Sequence, residues 1–187
     1  MSTKKSKSKN QVQDWHEIWQ ELTDTNDRAA AIVGDAILDD ALSRLLSAYF
    51  VANQKEVNGL LERPGPLWNF YAKSSIAYCL GLITQGQLRD LRAVNRIRNH
   101  FAHGLRSASF GDEAIIKDMS RFEKYKGLLA RDTDSPRQQF NVAVSALAYS
   151  FVVKTATTQH CKEIKDKSLG ELMKELASSS SAESPAG

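Results

Sequence analysis

The chain has 187 residues, the length of one ordinary domain, which is enough to bury a hydrophobic core without disulfide or metal cross-links. Its 42% hydrophobic and 25% charged residues are globular values, and they exclude a disordered or fibrous protein. The formal net charge is +3, but the first ten residues hold four lysines and no acid, so the rest of the chain sums to −1. That balance excludes an evenly basic surface of the kind that coats nucleic acid.

Low-complexity ends enclose the apolar part of the chain. We expect residues 1–12 to form a disordered basic tail, 13–176 a single helical domain, and 177–187 a second disordered tail. The N-terminal residues lack the apolar run of a signal peptide, and the two cysteines lack the spacing of a metal site. The longest apolar stretch, 140–153, is too short to span a bilayer and is typical of a buried core helix. We therefore expect a cytoplasmic protein with no cofactor and no membrane contact.

Between these ends, apolar residues recur at helical spacing, and the alternating pattern of β-strands is almost absent. Asn26 and Asp27 offer an N-terminal cap, Pro64-Gly65-Pro66 marks a turn, and Gly104 is placed to end a helix. The predicted helices are 14–22, 27–51, 56–61, 67–82, 87–101, 112–122, 137–162 and 169–176, with a polar linker at 131–136. The sequence predicts an all-α fold, a single helical bundle of about six to eight helices.

The long second helix combines an apolar face with an acidic strip. We expect the buried face to consist of Ala29, Ile32, Val33, Ala36, Ile37, Ala41, Leu45, Ala48 and Tyr49. Asp35 and Asp39 lie one helical turn apart, so their charges repel unless a cation lies between them. The strip either pairs with Arg92 and Arg96, within the domain or across a dimer, or is a solvated face.

The helix that begins near Gln87 is the basic part of the domain. Residues 89–106 include five arginines and a single acid, Asp90. Such a stripe is either a solvated face or a contact for nucleic acid or a partner protein. The candidate binding residues are Arg89, Arg92, Arg96, His100 and Arg106.

Arg98 interrupts the apolar arc of this helix. It projects among Leu91, Val94 and Ala102, where a guanidinium is costly unless it is paired and hydrogen-bonded. Arg98 therefore either has a partner carboxylate or carbonyl, or it lines a cleft or a dimer seam. A purely structural arginine near the helix end, with His103 exposed, is the simpler interpretation of the pattern alone.

The segment Arg98-Asn99-His100-Phe101-Ala102-His103 resembles the R-x(4–6)-H motif of the HEPN superfamily of helical bundles. The resemblance implies a HEPN-like fold and a homodimer in which motifs from two protomers face each other. In catalytic members the motif cleaves RNA without metal. The implied catalytic residues are Arg98, which would bind the phosphate, His103, which would exchange protons, and Asn99, which would orient either one.

A longer resemblance covers residues 27–104. The stretches Leu60–Leu67 and Ala77–Ile83, followed by the helix through Arg98-Asn99-His100, are similar to the mannitol operon repressor family. This resemblance implies an all-helical transcriptional repressor or co-regulator that acts through a partner protein or nucleic acid. It favours a regulator as the first hypothesis, whereas the intact R-x4-H motif favours a toxin-like, metal-independent endoribonuclease as the alternative.

Other residue patterns give weaker evidence for a functional site. His100 and His103 could chelate a metal together with Asp112 or Glu113, but no second histidine pair exists, so no metal site is predicted. His160-Cys161 has no third member, and we expect it on a helix surface rather than in a nucleophilic dyad. No glycine-rich phosphate-binding loop occurs.

Overall fold

A computed structural model describes residues 19–20, 22–103, 108–122, 135–164, 166–171 and 173–174. This part of the chain contains helices and no β-strand, so the predicted all-α bundle is confirmed. Its six main helices are α1 (Asp27–Tyr49), α2 (Gln54–Leu61), α3 (Phe70–Cys79), α4 (Gln85–His103), α5 (Glu113–Met119) and α6 (Pro136–Thr157). The predicted tails, 1–12 and 177–187, and the predicted helix stop at Gly104 lie outside the described residues.

Polar caps fix where the helices begin. Asn26 caps α1 as predicted, because its side-chain oxygen accepts a hydrogen bond from the backbone N–H of Ala29 at 2.9 Å. Ser135 and Gln138 form a reciprocal capping box around Pro136, the first residue of α6. The predicted linker at 131–136 is therefore one residue too long, because Pro136 already belongs to α6. Proline is well tolerated in the first turn of a helix.

Helix α1 is the central element of the bundle. It packs against α6, α4 and α3, while α4 also packs against α3 and α5. One continuous core results, whose largest fully buried side chains include Phe101, Phe140 and Phe151. A Cβ atom at Gly34 would lie 3.0 Å from the Phe140 ring, so glycine at this position allows α1 and α6 to approach closely.

The expected buried face of α1 is partly wrong. Ile32 is 41% exposed and Ala36 is also exposed. The buried residues of α1 are Ala30, Ala31, Gly34, Leu38, Ala41, Leu42, Leu45 and Leu46. Because apolar residues surround most of this helix, and because it contacts four other helices, helical periodicity alone does not select the side that faces the core.

Helix α6 carries the longest apolar stretch. By length and composition alone, α6 is the one helix in the described part of the chain that could cross a membrane. Its Phe140, Val144, Leu147 and Phe151 are instead buried in the core against α1, which agrees with the core helix expected from the sequence.

Helix α6 ends at Thr157, five residues earlier than predicted. The backbone N–H of Cys161 then donates to the carbonyl oxygen of Tyr49 at 2.7 Å, and the His160 ring nitrogen lies 2.6 Å from the carbonyl oxygen of Phe50. His160 and Cys161 are therefore not on a helix surface as predicted. They bind the last carbonyl groups of α1, which a helix end leaves without intrahelical partners.

A polar cluster joins α6 to the start of α1. The Arg137 guanidinium donates to Asp27 at 2.8 Å and to the carbonyl oxygens of Leu22 and Thr25 at 2.7 and 2.9 Å. The second Asp27 oxygen accepts from the backbone N–H of Phe110 at 3.2 Å. One ion pair thereby connects α1, α6 and the segment that precedes α5.

Candidate functional site

The basic residues of α4 do not form one patch. Arg96 points towards α5, where its Nη2 lies 2.8 Å from Asp118. His100 lies on the same side, with Nε2 3.2 Å from Oδ2 of Asp112, the residue that precedes α5. Arg92 points towards α3, and its guanidinium carbon lies 4.9 Å from the centroid of the Tyr71 ring. The candidate binding residues are thus divided between two neighbouring helices.

The two remaining candidate binding residues are Arg89 and Arg106. Arg89 is exposed on the second turn of α4 and has no carboxylate within 4.0 Å among the described residues. Arg106 lies outside the described residues.

Arg98 points towards α1. Its Nε lies 3.9 Å from Oδ2 of Asp35, and its Nη1 donates to the side-chain oxygen of Asn99 at 2.9 Å. Of the alternatives that the sequence left open for Arg98, a partner carboxylate is present within the same chain. The Arg98 side chain is still 39% exposed, so the guanidinium lies at the edge of the α1–α4 contact rather than within the core.

Asn95 and Asn99 complete the polar contact between these helices. Asn95 donates to Oδ1 of Asp35 at 3.0 Å, and Asn99 donates to the side-chain oxygen of Asn95 at 3.3 Å. Together with Arg98, they form a short chain of hydrogen bonds along α4 that ends on the Asp35 carboxylate. This network orients Asn99, one of the residues that the HEPN resemblance assigns to catalysis.

Burial raises the pKa of Asp35 above its ordinary value. The hydrogen bond from Asn95 and the charge of Arg98 oppose this rise, and the nearby charge of Asp39 adds to it. The rise shows that desolvation outweighs the attraction of an arginine that does not approach closer than 3.9 Å.

Asp39 has a cation of its own. Lys73 on α3 is only 5% exposed in its side chain, and its Nζ lies 2.7 Å from Oδ2 of Asp39. The acidic strip therefore does not pair with Arg92 and Arg96 within the chain, which was one of the alternatives that the sequence left open. Asp35 pairs with Arg98 and Asp39 with Lys73, because α1 lies between α3 and α4, whereas Arg92 and Arg96 point away from it.

His103 is the last residue of α4 and is exposed. Within the described part of the chain its side chain makes no hydrogen bond or ion pair. A single chain therefore brings Arg98 and Asn99 into direct contact and leaves His103 at the end of the same helix.

No three side chains of the types His, Cys, Asp and Glu come together as a metal site in the described part of the chain. His100 does approach Asp112, as the sequence suggested. The second group that contacts this Asp112 oxygen is the backbone N–H of Ser109, which donates to it at 3.3 Å and is not a metal ligand.

Sequence reasoning missed several exposed aromatic residues. Trp68, Tyr71 and Tyr78, which lie within the predicted helix 67–82, are 42%, 59% and 40% exposed. Arg63 lies over Trp68 at 3.9 Å, just as Arg92 lies over Tyr71. The proximity of Arg63 and Trp68 around the Pro64-Gly65-Pro66 turn was the available signal, because a tight turn brings its flanking side chains together.

Comparison with known proteins decides the family. The sequence profile of the mannitol repressor family matches residues 16–167, most of the chain. The chain belongs to the mannitol repressor family. This confirms the resemblance found on residues 27–104 and extends it to both sides. No curated protein matches the sequence.

Solved structures show the same fold. A chain in the X-ray structure of the MtlR–HPr complex from Escherichia coli is 16% identical, with a TM-score of 0.62, over 73% of this mannitol repressor family member and 97% of that chain. YggD from Shigella flexneri, described as a possible transcriptional regulator, is 14% identical with a TM-score of 0.57, over 73% and 96% of the two chains. The helical bundle is thus common to nearly the whole length of both structures.

Proposed function

We propose that this mannitol repressor family member is a cytoplasmic transcriptional regulator, a repressor or co-regulator, that acts through a partner protein. The observation that carries the proposal is the family match over residues 16–167. The shared fold with a chain of the MtlR–HPr complex supports a partner protein, and HPr is the first partner to test.

The charge pattern of α4 supports a protein partner over a DNA duplex. Arg96 and Arg98 already face Asp118 and Asp35, so two of the arginines on this helix are neutralised within the chain. Affinity for a duplex depends on several free cations that replace counterions along the phosphate backbone. A nucleic-acid contact would instead depend on Arg89 and Arg92, together with Arg106.

Association with HPr is tested by isothermal titration of purified HPr into the purified full chain. The proposal predicts saturable binding with a stoichiometry of one HPr per chain. A direct partnership would be contradicted if neither a heat of binding nor co-elution in gel filtration is seen at concentrations well above about 100 μM. A dissociation constant of about 100 μM corresponds to only about 5 kcal/mol of binding free energy.

We also propose a homodimer. Tyr149 and Val153, one turn apart on α6, are 61% and 48% exposed, and residues 138–153 contain no charged side chain. An uncharged, partly apolar face can meet its own copy without repulsion between like charges. Light scattering during gel filtration should give twice the chain mass of 20.8 kDa, and Tyr149→Glu should restore the mass of a single chain.

The alternative is a metal-independent endoribonuclease. The observation that favours it is the contact between Arg98 and Asn99 near the exposed end of α4, where His103 is also exposed. In chelator, such an enzyme would cleave RNA to cyclic-phosphate ends, and both Arg98→Ala and His103→Ala would abolish cleavage. Intact RNA after incubation with the natural chain would exclude this activity.

A further inference from the structure

We infer that the helix near the C-terminus of one chain packs on the exposed side of α6 in a second copy of the chain, so that two such contacts form the homodimer. This helix comprises residues 169–171 and 173–174 of the described part of the chain, and we call it the C-terminal segment. The inference rests on the proposed homodimer, because it states which part of the second copy covers α6. The C-terminal segment lies beyond the family match, which ends at residue 167.

The exposed side of α6 is apolar and lies opposite the side that packs on α1. Phe140 and Val144 of α6 are buried next to Gly34 of α1. Tyr149 lies about 180° around the helix from Phe140, and both Tyr149 and Val153 are exposed. Only 44% of the most apolar 18-residue window of α6 is buried within the chain. An uncharged helix side of this kind is typical of a surface that another helix covers.

The C-terminal segment is an amphipathic helix with a defined start. The backbone N–H of Ser168 donates to the Glu171 carboxylate at 2.8 Å, and the backbone N–H of Glu171 donates to the Ser168 hydroxyl at 3.4 Å, which forms a capping box. Leu169 and Met173, one helical turn apart, are 76% and 61% exposed. A helix shorter than about 12 residues is marginal in water unless its apolar side packs against another element. The capped helix therefore needs a partner surface for Leu169 and Met173.

The chain between α6 and the C-terminal segment leads away from the exposed side of α6. His160 and Cys161 bind the carbonyl oxygens of Phe50 and Tyr49 at the end of α1. Because α1 lies on the opposite side of α6 from Tyr149, the chain leaves α6 on the side away from its exposed apolar surface. Residues 162–167 then contain five charged residues, as expected for a solvated linker. The C-terminal segment is thus held away from α6 of its own chain.

A second copy of the chain matches both uncovered surfaces at once. In a two-fold pair, each chain supplies one C-terminal segment and one exposed side of α6, so both apolar surfaces of both chains are covered. The charges are compatible, since residues 138–153 contain no charged side chain and the polar side of the segment carries Glu171 and Lys174, which have opposite signs. Depletion of charge at the centre with charged residues at the rim is the usual composition of a protein interface.

The first test is light scattering during gel filtration of full-length variants. Leu169→Glu combined with Met173→Glu should reduce the mass from twice the chain mass of 20.8 kDa to that of one chain. Lys174→Glu is the matched control, because it changes the charge by the same two units on the polar side of the segment, and it should leave the dimer intact. All three positions are exposed, so circular dichroism should show the same helical content in both variants.

Cross-linking tests which surfaces meet. Two full-length chains, Tyr149→Cys and Met173→Cys, each also carry Cys79→Ser and Cys161→Ser, so that each has a single cysteine. Treatment with a bismaleimide should link chains in pairs when the two variants are mixed, and should link neither variant to itself. Pairs formed by Tyr149→Cys alone would show that the two α6 helices meet directly, and the inference would be wrong.

The outcomes distinguish this inference from the proposed homodimer. A dimer that persists in Leu169→Glu/Met173→Glu, or a mixture that gives no linked pairs although the natural chain is a dimer, would overturn the role of the C-terminal segment and leave the homodimer intact. A natural chain with the mass of a single chain would contradict the homodimer and this inference together.

Discussion

Nε of Arg98 lies 3.9 Å from Oδ2 of Asp35, so the arginine of the R-x4-H segment faces a carboxylate of its own chain across the contact between α4 and α1. Asp35 has a second partner in Asn95, which also belongs to α4. Through these two side chains, α4 is connected to α1, the central helix of the bundle. This gives the motif arginine a structural task that any catalytic use would have to share.

Replacement of Asp35 by asparagine should change how stability depends on pH. Because the pKa of Asp35 is raised above 3.8 in the folded chain, the folded chain binds this proton more tightly than the unfolded chain does. The contribution of Asp35 to the free energy of unfolding therefore falls as the pH rises from 3.8 through the folded pKa. Asparagine does not titrate and keeps an oxygen for Asn95.

We accordingly expect the stability of Asp35→Asn relative to the natural chain to increase as the pH rises from 3.8 through the folded pKa of Asp35. Urea unfolding followed by circular dichroism at several pH values measures this difference. A difference that decreases with pH would mean that Arg98 lowers the pKa of Asp35 more than burial raises it.

Loss of Lys73 should destabilise the bundle. The Lys73→Met substitution leaves the Asp39 carboxylate without its cation, and Oδ1 of Asp39 is already buried without a hydrogen-bond partner among the described residues. We expect a loss of about 2 kcal/mol in the free energy of unfolding, less than for a fully buried pair because Asp39 is 33% exposed. The double variant Lys73→Met/Asp39→Asn should recover much of this loss; a double variant as unstable as Lys73→Met alone would show that the apolar packing of Lys73 matters more than its charge.

Two glycines near the turn provide a matched pair. Gly65→Ala should destabilise the chain by about 2 kcal/mol or more, because the added methyl group meets the carbonyl oxygens of Gly59 and Leu60. Gly59→Ala, inside α2 with nothing within 4 Å of the added atom, should instead stabilise by about 0.5 kcal/mol. Thermal unfolding of the two variants tests this packing of the loop. It predicts that the midpoint temperature falls for Gly65→Ala and rises for Gly59→Ala.

Arg137 should matter more for stability than a surface arginine does. The Arg137→Met substitution removes the cation that pairs with Asp27 and one donor each from the carbonyl oxygens of Leu22 and Thr25, and we expect it to cost about 2 to 3 kcal/mol. Arg44→Met removes an arginine that is 70% exposed, and should change stability by less than about 0.5 kcal/mol. Equal effects of the two substitutions in urea unfolding would show that the Arg137 cluster does not connect α1 to α6.

Local signals in the sequence were sufficient to predict the helices. Asn26 predicted the start of α1, and the Pro64-Gly65-Pro66 turn marks the loop before α3. The predicted helix ends were less accurate where a contact with a distant part of the chain determines where the helix stops. Helix α6 ends before Cys161, whose backbone binds the end of α1 rather than continuing the helix.

The site was less predictable than the fold because it depends on which helices are neighbours. The wheel of α4 identified Arg98 as a residue in need of a carboxylate, and Asp35 was already noted as an acid in need of a cation. Their pairing, and that of Lys73 with Asp39, required the packing of α3 and α4 on either side of α1. The exposure of Trp68 and Tyr71 was hidden for the same reason, since an aromatic residue at helical spacing is most often part of the core.

The most direct test of the central claim is a transcriptional reporter for the mannitol operon in the host, with and without the gene for this chain. We predict that deletion raises reporter expression and that the natural gene restores repression. Unchanged expression after deletion would contradict the proposal that this member of the mannitol repressor family acts there as a transcriptional repressor or co-regulator.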